Sequence, residues 1–152
     1  MAIERSSSPE KFFTDDEKSH IVKAIQEAEK KTSGEIRIHM EEKAGEDIYK
    51  RAIRIFEKIG MTRTVNRNGV LIYLATGSRQ FVILGDKGIN EVVSQNFWED
   101  VVRLMTDFFK SGKFCEGVCE GIRLIGEKLK DHFPYQTDDI NELSDDISIS
   151  EK

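Results

Sequence analysis

The chain has 152 residues, of which 34% are charged and 38% hydrophobic, and its formal net charge is −5. This length suits one domain with a sizeable core, and the acidic balance excludes a general nucleic-acid-binding role, because such proteins attract phosphates with excess basic residues. The N-terminus lacks an apolar signal core and no segment approaches about 18 consecutive apolar residues, so we expect a soluble, cytoplasmic protein without a membrane span.

The first half of the chain alternates between helical and strand patterns. Residues 1–13 are expected to form an N-terminal extension, and residues 14–32 place apolar side chains at helical spacing. From Glu35 to Glu41 apolar and polar residues alternate, which predicts a half-covered strand near a sheet edge. Residues 48–59 return to helical spacing and predict a second amphipathic helix.

The second half begins with two apolar runs, residues 70–75 and 81–84, which a tight turn separates. Such continuously apolar strands require cover on both faces. Helical spacing then continues from residue 88 to residue 132 and predicts two long helices, with a short one before them. The sequence therefore predicts an α/β protein: a three-layer α/β/α sandwich whose small mixed sheet contains a central β-hairpin.

The predicted domain spans residues 14–134. Residues 135–152 are acidic, rich in serine and without stable periodicity, so we expect a disordered tail that either solubilises the protein or binds a partner. Cys115 and Cys119 lie four residues apart in a predicted helix. No further metal ligand accompanies them in the sequence, which favours a packing role over a metal or redox pair. Reduced thiols agree with a cytoplasmic location.

Topology predicts which polar residues meet. A right-handed crossover through the helix at residues 48–59 makes the first two strands parallel, and the hairpin then returns the third strand to the end where the second began. Asp47 follows the first strand and is expected at the opposite end of the sheet. The residues expected together are Glu35, Arg63, Arg67, Asn68, Asp86 and Lys87.

Two chemistries suit this group. Glu35 and Asp86 offer oxygen ligands for a hard cation, Ca²⁺ or Mg²⁺, with Asn68 completing the shell. The loop arginines and Lys87 offer charge-assisted hydrogen bonds to a phosphate or carboxylate. Together they would form a metal-assisted phosphoryl site.

Structural roles for the same residues stay open. Asp86 is well placed to cap the following helix, and Glu35 is able to pair with an arginine. The alternative role for Asn68, followed by glycine, is to shape the start of a strand. The isolated histidines have no metal-binding spacing, and the sequence contains no dinucleotide, P-loop, zincin or α/β-hydrolase motif.

A family pattern is carried by several segments: residues 33–36, 67–73 and 85–89, Trp98, the glycine-containing run 109–117, and residues 125–129. With these segments, approximately residues 14–134 resemble the TPM domain. The resemblance implies an α/β/α fold and a phosphatase-like label, and some members are linked to divalent cations and to membrane-protein maintenance. Many members carry a signal peptide and a transmembrane segment; this sequence has neither and resembles a soluble branch.

The resemblance and the predicted topology together give a functional hypothesis. We expect a metal-assisted phosphatase in which water attacks a phosphate-containing ligand, and the alternative is a noncatalytic module of the same fold that binds another protein. The expected residues are Asp86, Arg67 and Arg63 in catalysis, Lys87 and Asn68 in substrate binding, and Glu35, Asp86 and Asp47 as metal ligands.

Overall fold

The computed structural model describes residues 5–136 and 142–150, which form four strands, six α-helices and one short 3-10 helix. The elements are α1 (Pro9–Phe12), α2 (Asp15–Ala28), β1 (Glu35–Glu41), α3 (Ile48–Lys58), the 3-10 helix (Met61–Arg63), β2 (Gly69–Ala75), β3 (Gln80–Gly85), α4 (Lys87–Asn90), α5 (Glu99–Lys110), α6 (Phe114–Leu129) and β4 (Ser148–Ile149). The predicted order of helices and strands is confirmed from α2 to α6, whereas α1 was not predicted.

The sheet has the strand order β3-β2-β1-β4. Glu35 pairs with Gly69 at the start of a parallel β1–β2 ladder, and Val70 pairs with Gly85 in the antiparallel β2–β3 ladder. The parallel pairing predicted from the α3 crossover is therefore confirmed. The hairpin supplies β2 to the interior of the sheet and β3 to one edge.

Two apolar clusters cover the two faces of the sheet, which makes three layers. On one face, α1, α2, α5 and α6 pack on the Ile36, Ile38 and Met40 side of β1. On the other face, α3 and the 3-10 helix pack on the Leu71 and Tyr73 side of β2. Cys115 is buried in the first cluster, as the packing interpretation predicts.

The segment before α2 belongs to the folded domain rather than to an extension. Phe12 and Phe13 are 1% and 2% exposed, and both lie in the first apolar cluster. The Arg5 guanidinium donates two hydrogen bonds to the Glu17 carboxylate, at 2.6 and 2.7 Å. Two large aromatic side chains bury enough apolar surface to hold this short segment in place.

The C-terminal residues 142–150, called the strap below, pack along the free edge of β1. Ser148 and Ile149 pair in parallel with His39 and Met40, and the Ser150 amide donates to the Met40 carbonyl at 3.0 Å. The expected disorder does not hold for the strap, because its alternating Ile and Ser residues give it one apolar face and one polar face. Residues 137–141 and 151–152 lie outside the described residues.

The close approach of α4 to the loop before β2 gives a test of the fold. A Cβ atom at Gly88 would lie 2.1 Å from the Asn66 carbonyl oxygen and 2.8 Å from that of Arg67. Because both contacts are backbone, Gly88→Ala should lower the free energy of unfolding by about 3 kcal/mol, measured by urea denaturation. The exposed-loop control Gln95→Ala should leave it unchanged, and equal stability of the two variants would contradict this packing.

Candidate functional site

The face of β1 that points toward α3 is polar and buried. Glu35, His39 and Glu41 are 3%, 2% and 5% exposed. Their neighbours on this face of β2 are Gly69, Tyr73 and Ala75, and the strap covers the outer side. Buried polar groups must find hydrogen-bond partners or lose the free energy of hydration, so this strip of side chains constrains what can cover it.

Glu35 is the centre of a carboxyl cluster at the start of β1. Its Oε1 accepts a hydrogen bond from the Leu143 amide at 2.7 Å, whereas its buried Oε2 has no hydrogen-bond partner. Burial, together with the neighbouring Glu142 side chain of the strap, raises the pKa of Glu35 to about 7. The carboxyl group is therefore held in a place that disfavours its negative charge.

Glu29, at the end of α2, forms the second half of this cluster. Its Oε2 accepts a hydrogen bond from the Ile36 amide at 3.0 Å, and burial followed by contact with Asp145 raises its pKa to about 9. Asp145 Oδ1 is buried and has no other donor, so a proton on Glu29 supplies the hydrogen bond between the two carboxyl groups. Among the described residues, neither Glu29 nor Glu35 forms an ion pair.

Asn68 lies beside Glu35, as the sequence predicts. The Glu35 amide donates to the Asn68 carbonyl at 3.3 Å, and the Asn68 amide donates to Thr64 Oγ1 at 3.1 Å. The side chain is 1% exposed, and its Oδ1 has no hydrogen-bond partner. Asn68 thus adds a second unpaired acceptor oxygen to this end of the sheet.

Arg67, Asp86 and Lys87 also meet, on the other side of β2. The Arg67 guanidinium donates to both Asp86 carboxylate oxygens, at 2.8 and 2.9 Å, and the Lys87 amide donates to Asp86 Oδ1 at 2.7 Å. Arg67 has a φ of 50°, a left-handed conformation that the Gly88 amide supports by donating to its carbonyl at 2.8 Å. Asp86 is therefore the N-cap of α4, the structural role that the sequence left open.

These three residues border a depression of about 500 Å³. The Arg67 side chain is 42% exposed and Lys87 is exposed, so both cationic groups face solvent. The depression also contains Thr62 and Asn90, which offer hydroxyl and amide groups. This surface is able to accept an anion through charge-assisted hydrogen bonds.

The predicted metal ligands do not come together. Gly69 lies between Glu35 and Asp86 in the sheet, which places their backbones two strand spacings, roughly 10 Å, apart. Met61 and Leu143 cover this glycine, at 3.2 and 3.7 Å from where its Cβ would be. A cation with ligand distances of about 2.3–2.6 Å does not span such a gap without rearrangement.

Asp47 and Arg63 lie apart from these groups. Asp47 caps α3, with its Oδ1 accepting from the Lys50 amide at 3.2 Å, and it follows the far end of β1, as the topology predicts. The Arg63 side chain is exposed and folds against Gly60 instead of reaching Asp86. No group of three or more His, Cys, Asp or Glu side chains in the described part of the chain converges on a possible metal position.

A second buried polar group lies at the far end of β1 and was not predicted. His39 Nδ1 and Nε2 contact the hydroxyls of Ser148 and Ser150, each at 2.7 Å. Burial lowers the pKa of His39 to about 4, so the imidazole is neutral near pH 7 and its 4.0 Å contact with Glu41 is not an ion pair. The histidine is a packing residue. The sequence feature that could have indicated this contact is the alternation of Ile and Ser in residues 147–150, which is the pattern of a strand.

Glu41 is the charged member of this end. The Arg51 guanidinium donates to it at 2.7 and 2.5 Å, and the Tyr73 hydroxyl donates at 2.5 Å. Burial would raise the pKa of Glu41, but the hydrogen bonds from Arg51, Tyr73 and Ser150 lower it to about 2. The two ends of β1 thus differ: the Glu35 end disfavours negative charge, and the Glu41 end stabilises it.

Comparisons with known proteins agree with this architecture. A family model described as the TPM domain matches residues 7–128. The solution NMR structure of the BA42 protein from the psychrophilic bacterium Bizionia argentinensis is similar, with 45% sequence identity and a TM-score of 0.89; the match covers 95% of this chain and 100% of that one. No curated protein matches the sequence. None of the helices in the described ranges combines the length and apolar character needed to cross a membrane.

The raised pKa of Glu29 gives a pH-dependent prediction. A carboxyl group with a folded-state pKa near 9 contributes stability that is fully present below its ordinary pKa of 4.5 and is lost as the pH rises through 9. Glu29→Gln keeps a neutral acceptor, so it should raise the free energy of unfolding at pH 8 by roughly 2 kcal/mol and have little effect at pH 4. Urea denaturation at both pH values measures the difference.

The matched control is Glu27→Gln, an exposed change of the same type near the end of α2. It should shift stability equally little at both pH values. A gain for Glu29→Gln that does not depend on pH would show that the carboxyl is ionised in the folded protein.

Proposed function

The chain belongs to the TPM domain family, and within this fold we propose that it binds a hard divalent cation, Ca²⁺ or Mg²⁺, through the Glu35 carboxylate. The observation that carries the proposal is the buried Glu35 Oε2, which has no hydrogen-bond partner. Buried oxygens are rarely left without a partner, and a cation would provide one. The donor types at this end of β1, carboxyl and amide oxygens, are those that hard cations prefer.

The described residues nearest to Glu35 suggest which groups would complete the site. Glu142 contributes to the raised pKa of Glu35, so the two carboxyl groups are close, and a cation there would replace a shared proton. Asn68 Oδ1 is a further buried oxygen of this region that has no hydrogen-bond partner. In the described part of the chain no three acidic side chains are arranged so that all could bind one metal ion. The cation would therefore keep several of its waters, as Mg²⁺ does in sites with one or two carboxylates.

A titration with Mg²⁺ and with Ca²⁺, followed by amide chemical shifts, tests the proposal. We expect the shifts to centre on Glu35, Asn68 and Leu143, because the Leu143 amide bonds directly to the Glu35 carboxylate. Glu35→Gln should weaken binding by roughly tenfold or more, since the amide removes the negative charge.

Glu46→Gln is the matched control, because it removes one exposed carboxylate elsewhere on the surface. Its affinity should equal that of the unmodified protein. Asp47→Asn and Asp86→Asn distinguish the proposal from the ligand set predicted from sequence. A loss of affinity in either of these variants, with none in Glu35→Gln, would place the cation elsewhere.

A second candidate function, phosphatase-type hydrolysis, is supported by the juxtaposition of Arg67 and Lys87 at the depression beside Asp86. Arg67 would bind a phosphate and offset the charge that develops in the transition state, while Asp86 holds the guanidinium in place through its two hydrogen bonds. Lys87 would add a point charge, and water would be the nucleophile. A divalent cation bound nearby would supply further positive charge.

The phosphatase proposal rests on residues separate from those of the cation proposal, because Gly69 and Met61 lie between Glu35 and Asp86. Release of phosphate from an aryl phosphate, measured with and without Mg²⁺, tests it. Arg67→Gln should reduce the rate by roughly tenfold or more, by analogy with loss of one transition-state donor. The exposed α3 control Arg54→Gln should not. Equal rates for Arg67→Gln and the unmodified protein would remove this mechanism.

A further inference from the structure

We infer that the strap completes the carboxyl cluster and regulates it, so that docking of residues 142–150 and cation binding favour each other. This inference rests on the proposed cation-binding function and adds to it a partly detachable segment that supplies groups of the site. Its premise is geometric: the strap is the only described segment that contacts both the Glu35 end and the Glu41 end of β1 from the sheet edge.

The near end of the strap contributes to the cluster itself. The Leu143 amide donates to Glu35 Oε1 at 2.7 Å, and Glu142 Oε2 accepts from the Val65 amide at 3.1 Å. Leu143 is 8% exposed and packs in the apolar cluster of α3. Without the strap, Glu35 would lose both its amide donor and the neighbouring carboxyl group, so the site is incomplete.

The far end of the strap is attached by few contacts. Two residue pairs and the Ser150 amide hydrogen bond to Met40 join it to β1. The serine hydroxyls add hydrogen bonds to His39 and Glu41, and Ile147 and Ile149 pack on the larger cluster. A strand this short contributes little by itself, so opening of the strap should require much less free energy than global unfolding.

The strap also brings acidic groups to a place that already disfavours negative charge. Glu142 and Asp145 lie beside Glu35 and Glu29, and Asp145 Oδ1 is buried without a donor from any other described residue. A divalent cation would offset the repulsion between the carboxylates of the strap and those of Glu35 and Glu29 only while the strap is docked. Because binding coupling is reciprocal, a cation that favours the docked strap must bind more weakly when docking is impaired.

Ile149→Asp tests the coupling in the full chain. The substitution should release the far end of the strap, four residues beyond Asp145, without changing any carboxyl group of the cluster. We expect it to weaken Mg²⁺ and Ca²⁺ affinity, measured by calorimetric titration, by roughly fivefold or more, within the usual range of coupling factors. In the unmodified protein each cation should slow hydrogen exchange of the Ser150 amide by a similar factor.

Val92→Asp is the matched control, because it adds the same charge at a residue that is 52% exposed. It should leave affinity unchanged or slightly higher. If Ile149→Asp disturbs the amide exchange of β2, the milder pair Ser148→Ala and Ser150→Ala replaces it, since these changes remove only the hydroxyl contacts with His39.

The outcomes separate the two proposals. Cation binding in the unmodified protein with undiminished affinity in the strap variants, and with no slowing of Ser150 exchange, would overturn the coupling and leave the proposed function intact. The absence of any cation binding to the unmodified protein would overturn both. Weakened binding in the strap variants together with slowed exchange would support both.

Discussion

The burial of polar side chains on one face of β1 is the constraint on which much of this structure depends. Ile36, Ile38 and Met40 fill the core on one side, so the alternation of the strand sends Glu35, Arg37, His39 and Glu41 to the other. β2 is buried on both faces and offers this side mainly apolar groups and one tyrosine hydroxyl. The cover of β1 must therefore supply hydrogen-bond partners as well as apolar contacts.

Different elements supply those partners along the strand. At the Glu41 end, Arg51 of α3 and Tyr73 of β2 provide donors, and the carboxylate stays ionised. In the middle, the strap places serine hydroxyls on both nitrogens of a neutral His39. At the Glu35 end the strap brings one amide but also further carboxyl groups, which leaves unpaired oxygens. The Glu41 carboxylate thus has hydrogen-bond donors on both oxygens, whereas the Glu35 carboxyl group at the other end of the same strand has one oxygen without a donor.

That contrast explains why the cation-binding proposal lies at the Glu35 end. Structural ion pairs such as Arg67 with Asp86 close a loop onto a helix start and need no ligand. A buried carboxyl oxygen without a donor, such as Glu35 Oε2, is different, because the fold holds it in a place where a proton or a cation is required. The strap supplies groups next to this oxygen, and few contacts attach the strap to the sheet. The site is therefore suitable for regulation. The strap consists of tail residues for which the sequence suggested binding to a protein partner.

The sequence by itself determined the order of elements, the parallel β1–β2 pair and the approach of Arg67 to Asp86, because hydrophobic periodicity and the crossover rule act over short stretches of chain. It also placed Glu35 and Asn68 side by side. It did not determine that Gly69 and Met61 separate Glu35 from Asp86, nor that Phe12, Phe13 and the strap belong to the fold. Those facts depend on contacts between residues as far apart as Glu35 and Leu143, which only the tertiary structure decided, because the free energy of such contacts comes from burial against distant segments rather than from local pattern.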